Sequence, residues 1–105
     1  MWIVKAREIQ MTAGDYGVEL PISISGVTLG ASDSILFTLK SAHYTTVLTK
    51  TFTNIQNNTV GLVLTSADRE SLLAGDYIYT LDWYQSGQFM CNLVEGASFK
   101  VVAKA

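Results

Sequence analysis

The sequence predicts an all-β protein, a β-sandwich or small barrel of seven or eight short strands in a single domain, residues 1–105. Apolar residues recur at every second position in several short runs, the spacing of strands with one buried face. Gly, Asn, Asp and Ser residues that favour turns separate these runs at regular intervals. The 105 residues are 49% hydrophobic and 15% charged, which suffices for one core and excludes a disordered chain.

Each strand prediction rests on one of these runs or on the turn signals beside it. The alternating apolar residues are Val18, Leu20, Ile22 and Ile24, then Ile35, Phe37 and Leu39, then Val60, Leu62 and Leu64, then Tyr77, Tyr79, Leu81 and Trp83, and finally Phe99 and Val101. The predicted strands span 2–10 (as one piece or two), 17–25, 34–40, 46–53, 59–65, 76–84, 88–95 and 97–103. Ser86 and Gly87 separate two of these strands and predict the tip of a hairpin.

One segment departs from the alternation, and it predicts one or two helical turns over residues 66–74. Ser66 can cap the start of a helix, and Gly75 can supply the left-handed residue that ends it. We expect these turns to carry Leu72 and Leu73 onto the end of the core.

The entry into the next strand narrows the fold class. Gly75 and Tyr77 form a Gly-x-Tyr pattern after the crossover, which is typical of the tyrosine corner of immunoglobulin-like sandwiches. In that arrangement the ring fills the core and the hydroxyl bonds to a backbone group upstream. Tyr77 is therefore predicted to be a structural residue, and the fold an immunoglobulin-like antiparallel β-sandwich.

The rare residues exclude several chemistries. The chain has one cysteine, Cys91, and one histidine, His43, too few for a zinc site built on thiolate and imidazole ligands. Cys91 alternates with apolar neighbours and is expected to be buried, whereas His43 is expected in an exposed loop. Neither a phosphate-binding glycine loop nor a dinucleotide fingerprint is present. We expect no metal and no cofactor.

The carboxylates give no catalytic pair. Asp76 and Asp82 share one face of a strand about 20 Å apart, whereas the two carboxyl groups of a glycosidase stand about 5–9.5 Å apart. The other acidic residues near loops or turns are Asp15, Asp33, Asp68 and Glu95, where solvated or turn-bonding carboxylates are expected. The sequence also lacks a nucleophile elbow. It predicts a protein that is not an enzyme.

Charge and hydropathy restrict the partners. The net charge of −2 and the pI of about 5.1 argue against nucleic acid. No apolar run is as long as the roughly 18 residues that a membrane-spanning helix needs. The N-terminus does not resemble a signal peptide. The mean hydropathy of +0.26 is high for a small monomer. Either the core is unusually complete or, as we favour, some apolar surface meets a partner.

Three parts of the sequence are candidate interfaces. Trp2 and Val4 belong to an apolar N-terminal strand that pairs within the sandwich or across an interface. Thr49 and Thr51 lie on a strand with little charge, which is typical either of a solvated face or of an edge that accepts another strand. Tyr84 falls on the face opposite the alternating aromatic run, where it could serve a protein interface or, with neighbouring aromatics, a platform for a sugar.

Four segments together carry a family resemblance: 13–18, 35–40, 72–79 and 99–101. Their succession resembles the small β-sandwich domains of tailed-phage virions, especially the N-terminal domain of baseplate upper proteins, over roughly residues 9–103. The resemblance implies a structural module of the tail, baseplate or head–tail connector.

The same resemblance implies a homo-oligomer that docks onto other phage structural proteins and has no catalytic residues. It further implies synthesis in the bacterial cytoplasm, without a signal peptide, and assembly into the virion. The alternative function is a small immunoglobulin-like binding module for carbohydrate or another ligand.

Overall fold

The structure, a computed structural model, describes residues 9–12, 17, 19–24, 27–65, 67–68 and 72–103. These residues form β1 (Ile9–Thr12), β2 (Glu19–Ser23), β3 (Asp33–Ser41), β4 (Thr46–Phe52), β5 (Thr59–Val63), β6 (Gly75–Gln85) and β7 (Gln88–Val102). The all-β prediction is confirmed. Residues 2–8 of the first predicted strand lie outside the described residues.

The strands form two sheets in a sandwich-like arrangement. The larger has the order β1-β7-β6-β3-β4, and the smaller pairs β2 with β5. β1 runs parallel to β7, whereas the other pairs are antiparallel. The prediction of a purely antiparallel fold is therefore wrong at this pair. β1 and β7 are distant in sequence, so no tight turn forces them to be antiparallel.

The core lies between the two sheets and follows the predicted alternation. Ile35, Phe37 and Leu39 of β3 are all 0% exposed. The Phe37 ring lies 5.7 Å from the Tyr79 ring and 6.3 Å from the Phe99 ring, centroid to centroid. The smaller sheet and its flanks add Ile24, Val60, Leu62 and Leu64 to the same cluster. Burial of these side chains supplies the main driving force for folding.

The hairpin of β6 and β7 is confirmed at its tip and corrected in its second strand. Ser86 and Gly87 have φ values of 50° and 82°, as a two-residue turn that suits twisted strands requires. β7 does not end before Gly96, where the sequence predicted a break. The register shifts opposite Tyr79 to Leu81, and Gly96 has a φ of 68°. Gly96 thus sits in a β-bulge and keeps the strand continuous.

An asparagine side chain holds the connection between β2 and β3. Asn58 has a φ of 50°, as expected of the Asn residues that separate two apolar runs of the sequence. Its side chain accepts a 2.9 Å hydrogen bond from the N–H of Leu29 and donates to the carbonyl oxygens of Ile24 and Val27. The loop that leads into β3 is therefore tied to the turn before β5.

The predicted helical crossover is mostly absent from the part of the chain that is described. Ala67 and Asp68 form a single turn of 3-10 helix, and the other residues of that segment up to position 71 are not described. Leu72 is buried as expected, but Leu73 is 72% exposed. Gly75 begins β6 with a φ of 156° and does not end a helix. No helix among the described residues is long and apolar enough to cross a membrane.

Candidate functional site

The five-stranded sheet has an outer face, which we define as the side turned away from β2 and β5. Along β3 the odd-numbered residues from 33 to 39 are buried, so the even-numbered ones point outward. The register of β6 on β3 places its even-numbered residues on the same side. The half-buried outer-face residues of these strands are Ser34, Leu36, Thr38, Lys40, Ile78, Thr80, Asp82 and Tyr84.

Three of the five candidate interface residues share this outer face. Thr49 and Thr51 are exposed on β4, where they pair with Thr38 and Leu36 of β3. Tyr84 lies two strands away, on β6, and is half-buried. The other two candidates, Trp2 and Val4, lie outside the described residues.

β4 forms one edge of the sheet. Of the described strands it pairs with β3 alone, and the pairing is regular from Leu48 to Phe52 before a bulge at Leu39 and Lys40. In an antiparallel pair every second residue directs its N–H and C=O away from the partner strand. Edge strands are commonly protected by lysine, proline or a bulge, and the regular part of β4 has one lysine and no proline.

That lysine is engaged elsewhere. Lys50 Nζ lies 2.9 Å from Asp68 Oδ2, and its register opposite Phe37 places it on the inner side of the sheet. The N–H of Thr65 also donates to Asp68 Oδ2, at 2.9 Å. The ion pair holds the positive charge against the 3-10 turn, so the β4 edge is left with little charge protection.

The ionisation of Asp68 keeps this contact in place near neutral pH. Burial raises the pKa of the Asp68 carboxyl, but hydrogen bonds from Lys50 and Thr65 and the Lys50 charge outweigh it, so the pKa lies below its ordinary value of 3.8. A lowered pKa in the folded state means that ionised Asp68 stabilises the fold above pH 3.8. This contribution is lost as the pH falls through the folded-state pKa.

The outer face also carries an aromatic pair at the tip of the β6–β7 hairpin. The rings of Tyr84 and Phe89 pack edge to face, with centroids 5.7 Å apart. Phe89 is 54% exposed, and its neighbour Met90 is exposed as well. Two residue pairs further from the tip, the Asn92 side-chain amide donates a hydrogen bond to Asp82 Oδ1.

Trp83 takes no part in this surface, because it points into the core. Its indole N–H donates a 2.9 Å hydrogen bond to Asp33 Oδ1, and Asp33 Oδ2 accepts a 2.7 Å bond from the N–H of Gly30. The sequence predicted that Asp33 would be either solvated or bonded to its own turn. The turn bond is present, and the side chain is not solvated, because Asp33 is only 5% exposed. A buried indole N–H requires an acceptor, and Asp33 provides it.

Tyr77 lies where β6 leaves the crossover. Its hydroxyl donates a 2.7 Å hydrogen bond to the carbonyl oxygen of Leu73, four residues upstream, and its half-buried side chain packs against the core. The hydrogen bond ties the segment before β6 to the start of the strand.

The remaining chemically capable residues are dispersed. His43 is exposed in the β3–β4 turn, as expected. Cys91 is half-buried, and the prediction of a buried thiol is wrong because its position opposite Trp83 lies close to the tip of the hairpin. Among the described residues, no group of three or more His, Cys, Asp or Glu side chains is arranged to hold a metal ion. Asp15 and the side chain of Glu95 are not described.

An apolar groove of about 160 Å³ opens between the β1 edge and the smaller sheet. Its lining residues are Ile9, Gln10, Met11, Glu19, Leu20, Leu62, Leu64 and Phe99. Leu20 was predicted to face the core, but it is 39% exposed. β2 pairs with β5 alone among the described strands, so no further described strand covers this position.

No protein-family model matches the chain, and neither does any curated protein.

Proposed function

We propose that this chain is an immunoglobulin-like β-sandwich that acts as a non-enzymatic assembly module of a phage virion. It self-associates and docks onto other phage structural proteins in the tail, the baseplate or the head–tail connector. It is made in the bacterial cytoplasm and needs neither a cofactor nor a metal. The assembly role rests on the β4 edge, and the virion setting rests on the sequence resemblance.

The strand order supports the immunoglobulin-like fold. In immunoglobulin domains strands G, F and C are neighbours in one sheet, the variable type adds C′ beside C, and strands B and E belong to the other sheet. The neighbours β7, β6, β3 and β4 correspond to the first set, and β2 with β5 correspond to the second. The bond from Tyr77 to Leu73 supports a tyrosine corner, since it ties the start of the F-like strand to the E–F connection.

The observation that carries the assembly role is the unprotected edge of β4. Thr49 and Thr51 are exposed and uncharged, and Lys50 is bound to Asp68 on the inner side. A strand from another chain can add to such an edge through backbone hydrogen bonds, with side chains at alternate positions setting specificity. Self-association through β4 would also account for part of the high mean hydropathy, because Val47 and Leu48 are only half-buried.

Light scattering across micromolar to near-millimolar concentrations tests the assembly role. The wild-type chain should exceed its monomer mass of 11.5 kDa and form a defined oligomer. In the Thr49→Lys variant a charge stands at the edge, and like charges brought together across a strand pair are destabilising. We expect the association constant of this variant to fall at least about tenfold, which corresponds to about 1.4 kcal/mol.

Ser98→Lys is the matched control. Ser98 is exposed on the same outer face, but it lies on the interior strand β7, paired with Ile78. This variant adds the same charge and should keep the wild-type mass. A wild-type mass of 11.5 kDa at every concentration, or equal loss of association in both variants, would contradict the assembly role of β4. Tail, tape-measure or portal genes beside the gene for this chain would support the virion setting.

A further inference from the structure

We propose that the outer face of the β6–β7 hairpin binds a neutral saccharide ring, with Phe89 and Tyr84 as the stacking surface and Asp82 and Asn92 as the hydrogen-bonding groups. The site stands apart from the β4 edge, and it would be present whether or not the chain assembles.

The cross-strand register brings the four side chains together. Tyr84 pairs with Phe89, and Asp82 pairs with Asn92, with the pair of Trp83 and Cys91 between them on the same two strands. Two residues of one strand that share a face are about 7 Å apart, a distance that one pyranose ring with its hydroxyl groups bridges. Phe89 and Asn92 are an odd number of residues apart, and the register shift opposite Trp83 and Tyr84 allows both to face outward.

The polar pair keeps hydrogen-bonding capacity for a ligand. The bond from Asn92 uses Asp82 Oδ1, which leaves Asp82 Oδ2 and Asn92 Oδ1 without a hydrogen bond to any other described residue. Asn92 is exposed and Asp82 is half-buried, so both oxygens can be reached from solvent. A carboxylate accepts only, and an amide both donates and accepts, which suits neighbouring hydroxyl groups.

The aromatic pair supplies the apolar half of the site. Phe89 is 54% exposed beside Tyr84, whose hydroxyl makes no hydrogen bond to another described residue. A pyranose ring combines hydroxyl groups at its rim with an apolar C–H face, and such a face packs against an aromatic ring. Small-ligand sites in general combine apolar surface with a few placed polar groups.

Charge restricts the ligand further. Asp82 is an acidic residue, and neither described lysine of the outer face pairs with it: Lys40 lies opposite Ile78 and Lys100 opposite Asp76, four and six residues away along β6. An acidic sugar would bring its carboxylate toward Asp82, which like-charge repulsion opposes. The site therefore fits a neutral hexose or an N-acetylated hexosamine.

The test is a titration of the ¹⁵N-labelled full chain with galactose, glucose and N-acetylglucosamine, followed by amide NMR shifts, with glucuronate as the charged control. At least one neutral sugar should give saturable shifts with a millimolar dissociation constant, centred on residues 82–92 and on the Asn92 side-chain amide. Glucuronate should bind more weakly. Phe89→Ala and Asn92→Ala should each weaken binding about tenfold, as loss of about 1.4 kcal/mol predicts.

Two controls make the result specific. Tyr44→Ala removes an aromatic side chain of high exposure from the β3–β4 turn, at the opposite end of the sheet, and should leave binding unchanged. Thr49→Lys should also bind normally, so failure of the assembly role and failure of this site are separable. The absence of saturable shifts with all three sugars would overturn the proposal, as would binding that Phe89→Ala leaves intact. If no sugar binds and the Phe89→Ala variant has a lower oligomer mass than the wild-type chain, the surface is a protein interface and the saccharide proposal is wrong.

Discussion

Each face of β6 has a carboxylate near an aromatic residue, but the two carboxylates differ in how fully they are hydrogen-bonded. On the inner face, Trp83 donates to Asp33, and no buried side-chain nitrogen or oxygen among the described residues lacks a hydrogen-bond partner. On the outer face, Asp82 bonds to Asn92 and keeps one carboxylate oxygen without a hydrogen bond to another described residue. The same residue types therefore stabilise the fold where their hydrogen-bonding capacity is used up, and they can bind a ligand where it is not.

The largest expected difference in stability between the inner and outer faces is at two neighbouring residues of β3. Phe37 is 0% exposed on the inner face, and Thr38 is half-buried on the outer face. Phe37→Ala should lower the free energy of unfolding by about 3–5 kcal/mol, because it removes the transfer energy of the ring and leaves a cavity. Thr38→Ala should cost less than about 1 kcal/mol. Urea denaturation measures both, and similar losses would mean that the outer face is also covered.

The two carboxylates give the next largest effect. Asp33→Ala leaves the indole N–H of Trp83 and the N–H of Gly30 without their acceptor, and should cost about 2–3 kcal/mol. Asp82→Ala should change stability by no more than about 0.5 kcal/mol. In a double-mutant cycle, Asp33→Ala and Trp83→Phe together should cost less than the sum of the single variants. Additive costs would show that the pair contributes no coupling energy.

The smallest effect compares two tyrosine hydroxyls on the same strand. Tyr77→Phe removes the hydrogen bond to the Leu73 carbonyl oxygen and should cost about 1 kcal/mol. Tyr84→Phe removes a hydroxyl that bonds to no other described residue, and its effect on unfolding should be close to zero. Thermal or urea unfolding of the two variants measures the difference. A larger loss of stability in Tyr84→Phe than in Tyr77→Phe would contradict the assignment of the stabilising hydroxyl to Tyr77.

The pairing of Asp82 with Asn92 is the part of the candidate site that the sequence does not predict. A two-residue turn at Ser86 and Gly87 predicts that residues equidistant from the tip pair with each other, and Gln85 with Gln88 and Tyr84 with Phe89 obey this rule. The same rule places Asn92 opposite Leu81, with its side chain toward the core. The register shift after Tyr84 moves Asn92 opposite Asp82 instead. No local pattern signals that bulge, so Asn92 was not a candidate.

Side-chain alternation predicts most of the strands and the buried faces of β3, β5 and β6, because it is a local property of an extended chain. Period two placed Ile35, Phe37 and Leu39 in the core, and positive-φ residues marked the hairpin tip and the Asn58 turn. Strand pairing, the positions of the bulges and the burial of one carboxylate were not predictable from local patterns. Those outcomes depend on hydrogen bonds and packing between residues far apart in the chain, such as Asp33 and Trp83, which no window of sequence contains.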